Sequence, residues 1–412
     1  MSNLVKYFSL KEIKKSLVIT LWFMVLTFPI MVIKVNTIEN TVIWRWGYLA
    51  IIAIGSFILS TLWRYMMERK SLQAGKESKI SIQQKLREIG EKNPRLKRGA
   101  LAAVVVLVVA YPFATSMYQT GIMTTALMYV VLGLGLNIVV GLGGLLHLGY
   151  AAFYAVGAYT YALLHVHFGI GFWVSLPIGA GLATILGILL AIPVLRLRGD
   201  YLAIVTLGFG EIVRIILENW NDFSYGPSGI ANIPRPTLFG IHFKLQQATI
   251  FIYFIMVALV VFTIFIVRRL ENSRMGRTWI AMREDEIASQ SMGIDITKTK
   301  VTTFAIGAFW AGMIGVVFAA KTTFINPASF TLWESIIILC IVVIGGMGSI
   351  FGVVVGAGIL ILLPEYLRAF SQYRMLLFGA ILVLMMVFRP GGIVTNVRKV
   401  YRIDKEKTGE AE

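Results

Sequence analysis

"GRTWIAMREDEIASQSMGID", residues 276–295, is an acid-bearing segment set between two apolar runs, 248–267 and 301–320. A helix needs roughly 20 apolar residues to cross a hydrocarbon core of ~30 Å, and both flanking runs reach that length. Unpaired backbone groups are costly in lipid, so such runs must be helices, with the polar segment connecting them outside the bilayer. Working outward by the same reasoning, apolar runs fall near 16–35, 48–63, 101–118, 121–141, 150–168, 171–195, 201–219, 335–349, 351–367 and 374–389. The predicted fold class is all-α, a polytopic membrane bundle of about 10–12 transmembrane helices. Composition agrees: the 412 residues are 57% hydrophobic and 14% charged, against about 25% charged in soluble domains. The pair of runs around "GGMGSIFG" reads either as two crossings or as one broken, re-entrant element.

The net charge of +17 could suggest nucleic acid, but Lys and Arg lie beside apolar spans, the pattern of positive cytoplasmic loops. The segment 64–99 carries Arg64, Arg69, Lys70, Lys76, Lys79, Lys85, Arg87, Lys92, Arg95, Lys97 and Arg98 against four glutamates. With it on the cytoplasmic side go the N-terminus, "RLRGD" at 196–200, the stretch 268–300 and the tail from Arg389, which requires an even number of spans. Residues 1–99 are expected to form a two-span extension ending in a basic linker, 100–395 the functional core, and 396–412 a cytoplasmic tail. The basic start has a long apolar stretch and no small-residue cleavage pattern, so a retained first span is expected rather than a signal peptide.

Enzymatic chemistry finds little support. Cys340 is alone, which excludes an internal disulfide and a cysteine metal cluster. His165 and His167 are two apart and do not share a helix face, and His147 and His242 are remote in sequence. The only Gly-Lys pair, at 75 and 76, is followed by Glu77, so no P-loop is present. Adjacent Glu284, Asp285 and Glu286 read as solvated charge rather than as a catalytic pair.

Charge inside a span is more informative, because each ionisable group there costs a few kcal/mol unless partnered. "YLAIVTLGFGEIVRIILENW" places Glu211, Arg214 and Glu218 three and four apart on one helix face. That face either pins one helix to a neighbour or lines a polar path, with Gly208 and Gly210 allowing close approach. The stretch 276–295 reads as one short helix, acids at its positive end, Ile287, Ala288 and Met292 forming a small apolar face, and Gly293 capping its end. Interfacial helices carry basic polar faces, so an acidic one points to a protein partner.

The segments "RLRGDYLAIVTLGFGEIVRIILEN", "GRTWIAMREDEIASQSMGI", "INPASFTLWESIIILCIVVIGGMGS" and "VLMMVFRPGGI" together resemble the M-type permease subunit of bacterial high-affinity branched-chain amino-acid ABC importers. The resemblance covers about 100–395, and the two-span extension is similar to that of Gram-negative members. It implies an inner-membrane subunit with both termini cytoplasmic that pairs with an H-type permease, two ATPases and a periplasmic amino-acid-binding protein. No cofactor would be held by this chain; ATP and Mg would be used by the ATPases. It also implies that the loop 268–300 is the ATPase-coupling element, with Gly276, Arg277, Arg283, Glu284, Asp285, Glu286, Ala288 and Gly293 against the ATPase. One departure is the outward loop "SYGPSGIANIP", where Tyr225 and Ser228 depart from the family's usual Thr-Gly-Gly-Pro-Asn-Gly pattern while Gly226, Pro227 and Gly229 are kept. An ion-coupled transporter working alone through Glu211 and Arg214, or a related permease for urea, amides or other amino acids, would use the same spans differently.

Overall fold

The computed structural model describes residues 10–36, 41–61, 94–237, 244–367 and parts of 376–394, with a few single positions excepted. Most of the basic segment 64–99 and of the last expected span, together with His242 and the tail 396–412, lie outside the described residues. Two compact units are distinguished, Met1–Ile80 and Ser81–Glu412.

In the first unit, helix α1 (Leu10–Met31) leads into a short antiparallel ribbon, β1 (Ile33–Asn36) with β2 (Thr41–Trp44), paired Ile33 to Trp44. Residues 49–57 are helical again. The ribbon is the one sheet among the described residues, and it begins at the end of the first expected span.

The second unit is helical throughout its described part. Its elements are α2 (Pro94–Ala114), α3 (Met117–Leu136), α4 (Tyr150–Phe168), α5 (Phe172–Val194), α6 (Asp200–Asn219), α7 (Leu245–Glu271), α8 (Arg274–Glu284), α9 (Glu286–Ser291), α10 (Ile296–Thr322), α11 (Leu332–Gly345) and α12 (Ile350–Tyr366). Five stretches are long and apolar enough to cross a membrane: 117–142, 172–194, 245–271, 296–322 and 327–345. The helices α4 and α6, of 19 and 20 residues, are also of spanning length, but α6 carries the three charges at 211, 214 and 218.

The centre is α10, which is buried over most of its length and packs chiefly on α5 and α4. Lipid-like surroundings give helices no hydrophobic reason to associate, so contact depends on small residues that let backbones approach. Here a Cβ on Gly157 of α4 would lie 1.9 Å from the Gly312 carbonyl of α10, and one on Gly315 would lie 2.2 Å from the Tyr154 carbonyl. On the other side Gly312 meets Ala183 of α5, and Gly187 of α5 meets Ala308. Larger residues fill around these contacts, with Trp310, Phe304 and Tyr150 fully buried.

Two glycine-rich breaks interrupt the helices at one end. Beyond α3 the chain makes a π turn, Asn137–Leu142, and then runs irregularly to Tyr150. Between α11 and α12 the turn 346–349 needs positive φ at Gly346 (115°) and Gly348 (81°). The breaks face each other: Gly348 N donates to Asn137 Oδ1 at 2.8 Å. Returning chain supplies further partners, Ile393 N to Ile344 O at 2.8 Å and Val394 N to Gly345 O at 3.1 Å. Irregular backbone at this depth is tolerated only when satisfied in this way. At 14 residues α11 rises about 21 Å, so its crossing is completed by the irregular stretch 325–331 with its 3-10 turn Pro327–Ser329. The pair around "GGMGSIFG" is thus a 14-residue helix and a 17-residue helix joined by the tight turn 346–349.

Because the Gly157 site is closed by backbone, which cannot rotate away as a side chain can, Gly157→Val should abolish the monodisperse peak in fluorescence-detected size exclusion. Gly208→Ala, at a position with nothing within 4 Å, should leave it intact.

Candidate functional site

The stretch 276–295 folds as two helices, not one. α8 starts at Ser273, whose hydroxyl accepts from Gly276 N at 3.2 Å, and it ends where Asp285 adopts extended geometry. Asp285 then caps α9, its carboxylate accepting from Ile287 N and Ala288 N, both at 2.9 Å. The acids therefore sit at the junction rather than at the start of a single helix, because a side chain that bonds the next backbone amides competes with continued helix. Gly293 closes α9 with φ of 83°, Gly293 N donating to Gln290 O and Ile294 N to Ser289 O, a turn that favours glycine.

Each of the sequence-predicted residues has a definite place. Gly276 is required by the turn from α7, since a Cβ there would lie 2.2 Å from the Leu270 carbonyl. Arg277 donates to the Asn272 carbonyl at 3.1 Å, closing the end of α7. Arg283 reaches back to the Gly141 carbonyl in the first break, over Gly144, whose positive φ and missing Cβ make room for the side chain. Glu284 is exposed at the junction, as are Ala288 and Ile287, and Met292 is 83% exposed.

Two anchors escaped the sequence reading. Trp279 is fully buried and, with Met282, holds α8 to the core. Lys300, in the first turns of α10, is buried: its ammonium pairs with Glu286 at 2.7 Å and donates to the Leu195 carbonyl at 3.2 Å. One side chain thus ties α9 to α10 and to the end of α5. At the start of α10 Asp295 accepts from Lys298 N at 3.0 Å, and this bond holds its carboxyl below the usual carboxylate range. In sequence Lys300 looked like the ordinary basic flank of a span, and nothing in its spacing set it apart.

The charged face of α6 is built as its spacing implies. Arg214 bonds Glu211 at 2.8 Å and Glu218 at 2.6 Å. All three remain partly exposed, with Glu218 at 42%. A Cβ on Gly210 would lie 2.9 Å from Gly149 Cα, whereas one on Gly208 would meet nothing within 4 Å among the described residues, so the expected close approach holds only at Gly210. At the far end of α6 the loop forms a 3-10 turn, Gly226–Ser228, with Gly226 and Gly229 at positive φ, and Ile230 bridges to Ile325. The tight turn survives the changed loop. Among the described residues no group of three potential metal ligands occurs. His147, buried among Tyr150, Phe153 and Phe304 at 5.4–5.9 Å, is a packed ring.

A multi-pass helical core with an ion-paired helix face and a small helical projection bolted to it fits a membrane permease. Residues 118–387 match the family described as branched-chain amino acid transport system / permease component, and the chain belongs to that family. It is 46% identical to the LivM permease protein of the high-affinity branched-chain amino acid transport system of Salmonella typhimurium, over 76% of this chain and 77% of that protein. With the Escherichia coli LivM the identity is 48%, over 72% and 75%. The E. coli LivH permease is 32% identical over 36% of this chain and 47% of its own length. No solved structure matches.

Removing one partner of a buried ion pair leaves the other charged and desolvated, at a cost of about 3–5 kcal/mol. Lys300→Met should destabilise the chain by about 3 kcal/mol in thermal unfolding in detergent, at the low end because Glu286 keeps 21% exposure. The double change Lys300→Met with Glu286→Met should recover most of the loss. Arg214→Leu, which leaves two glutamates without their shared guanidinium, should lower folded yield, whereas Glu218→Gln should be tolerated because one partner of the arginine remains.

Proposed function

We propose that the chain imports branched-chain amino acids as one half of an ATP-driven permease in the bacterial inner membrane, with both termini cytoplasmic. The observation that carries the coupling part of this reading is the projection α8–α9. It is fixed to the core by Trp279, Arg283 and the Lys300–Glu286 pair, and it turns Ile287 and Met292 outward. A short element so attached transmits a push as a rigid-body movement, and its exposed apolar residues need a protein cover.

The pusher would be an ATPase subunit that binds ATP and Mg itself, this chain holding neither. Lys300 would pass the displacement to α10 and, through the Leu195 carbonyl, to α5. Arg283 would pass it to the first glycine break and so to the second. The half-exposed triad on α6 supports pairing with a second, H-type permease across a polar face, since such charges must meet protein or water in a membrane. The naming of LivM and LivH relatives as parts of one transport system supports the same partnership. A periplasmic binding protein would deliver the amino acid to the end that carries the 220–237 and 323–331 loops. No role for nucleic acid is envisaged.

The test is co-purification in mild detergent, with mass spectrometric identification of what remains bound. Wild-type chain should retain two ATPase copies and a second permease. Ile287→Arg with Met292→Arg should lose the ATPases, keep the permease partner and abolish leucine uptake. Retention of the ATPases by that variant would overturn the docking assignment, and Asp285→Ala, which removes only a helix cap, should give a partial loss.

A further inference from the structure

The far end of the bundle, away from α8 and α9, holds a cavity of about 590 Å³. It is bounded by the first turns of α3, by α7, by the end of α10 and by the loop residue Arg235. Its walls are apolar at Met117 and Ile252 and hydroxylic at Thr124 and Thr125. The charged groups of this end are unequally provided for. Glu334 accepts from the Tyr129 hydroxyl and Glu365 from the Tyr118 hydroxyl. Lys321, by contrast, donates only to the Thr125 hydroxyl, which itself donates to the Gly121 carbonyl at 3.1 Å. An ammonium has three donors, so two of those of Lys321 lack an acceptor among the described residues. Arg235 has no carboxylate partner there either. A lysine at a helix end ordinarily extends to water, yet Lys321 turns into a cavity wall.

Two cations facing an open cavity with a partly apolar wall are matched by an anion whose body is apolar. We propose that this cavity binds the carboxylate of a small apolar acid, as ion-pair partner of Lys321 and of Arg235 at the rim. The choice of amino acid rests on the transport reading above: for leucine, isoleucine or valine the α-carboxylate would meet the cations and the branched side chain the Met117 and Ile252 surface. Glu334 of α11 is held by Tyr129, one helical turn along α3 from Thr125, and would receive the ammonium of a solute moving inward.

The test uses the purified full chain in nanodiscs of neutral phosphatidylcholine, with binding followed by saturation-transfer NMR. L-Leucine and 4-methylpentanoate should bind, and leucinol, which lacks the carboxylate, should not. Lys321→Gln should weaken binding about tenfold, Lys321→Arg should retain it, and Arg235→Gln, in a loop outside the helix packing, should weaken it severalfold while eluting as wild type. Equal binding of leucinol, or wild-type affinity in a folded Lys321→Gln chain, would overturn the site. In discs with added phosphatidylglycerol, native mass spectrometry showing one such lipid held through Lys321 and not displaced by leucine would make it a lipid site and overturn the proposal. Leucine uptake in cells lacking the chain separates the two readings. Lost uptake without carboxylate binding by the purified chain defeats the cavity alone, and binding with unchanged uptake defeats the transport reading alone.

Discussion

The backbone-to-backbone approach of α10 against α4 and α5 organises the second unit. Glycine at 157, 312 and 315 places carbonyls where side chains would otherwise stand, and van der Waals contact at that distance replaces the hydrophobic drive that lipid cannot supply. Once α10 is held so closely, its two ends have fixed positions. Lys300 at one end lies under the projection α8–α9, and Lys321 at the other enters the far cavity. The two charged ends of one helix therefore lie at the projection and at the far cavity.

The glycine breaks solve a second problem of the same environment. Backbone released from helix must find partners inside the protein, and here the partners are the other break and the returning segment 393–394. Arg283 adds a charge-assisted bond from α8 to the Gly141 carbonyl. The projection is consequently attached at three places, through Trp279, Arg283 and Glu286, to parts of the core that are themselves joined.

The charged face of α6 completes this picture from the side. Its internal pairing lowers the cost of each charge but leaves the group half-open, and an open ionic face in a membrane implies a neighbour or water. The same incompleteness appears at Ile287 and Met292 on the projection. A chain with two such unfinished surfaces is a component, consistent with its membership of a transport-system permease family.

The sequence by itself determined the helical membrane class, the five stretches of spanning length, the ion triad on α6 and the existence of a polar element between α7 and α10. Run length, helical spacing and the cost of unpaired groups in lipid are local properties, readable without knowing what touches what. Tertiary structure decided the rest. The division of 276–295 into two helices depends on Asp285 bonding two particular amides, and the meaning of Lys300 and Lys321 depends on which face of α10 meets α9 and α3. Both lysines look alike in sequence, as basic residues flanking an apolar run. Only packing sets one against a glutamate and leaves the other facing a cavity, because the partner of a buried charge is chosen by contacts between residues far apart in the chain.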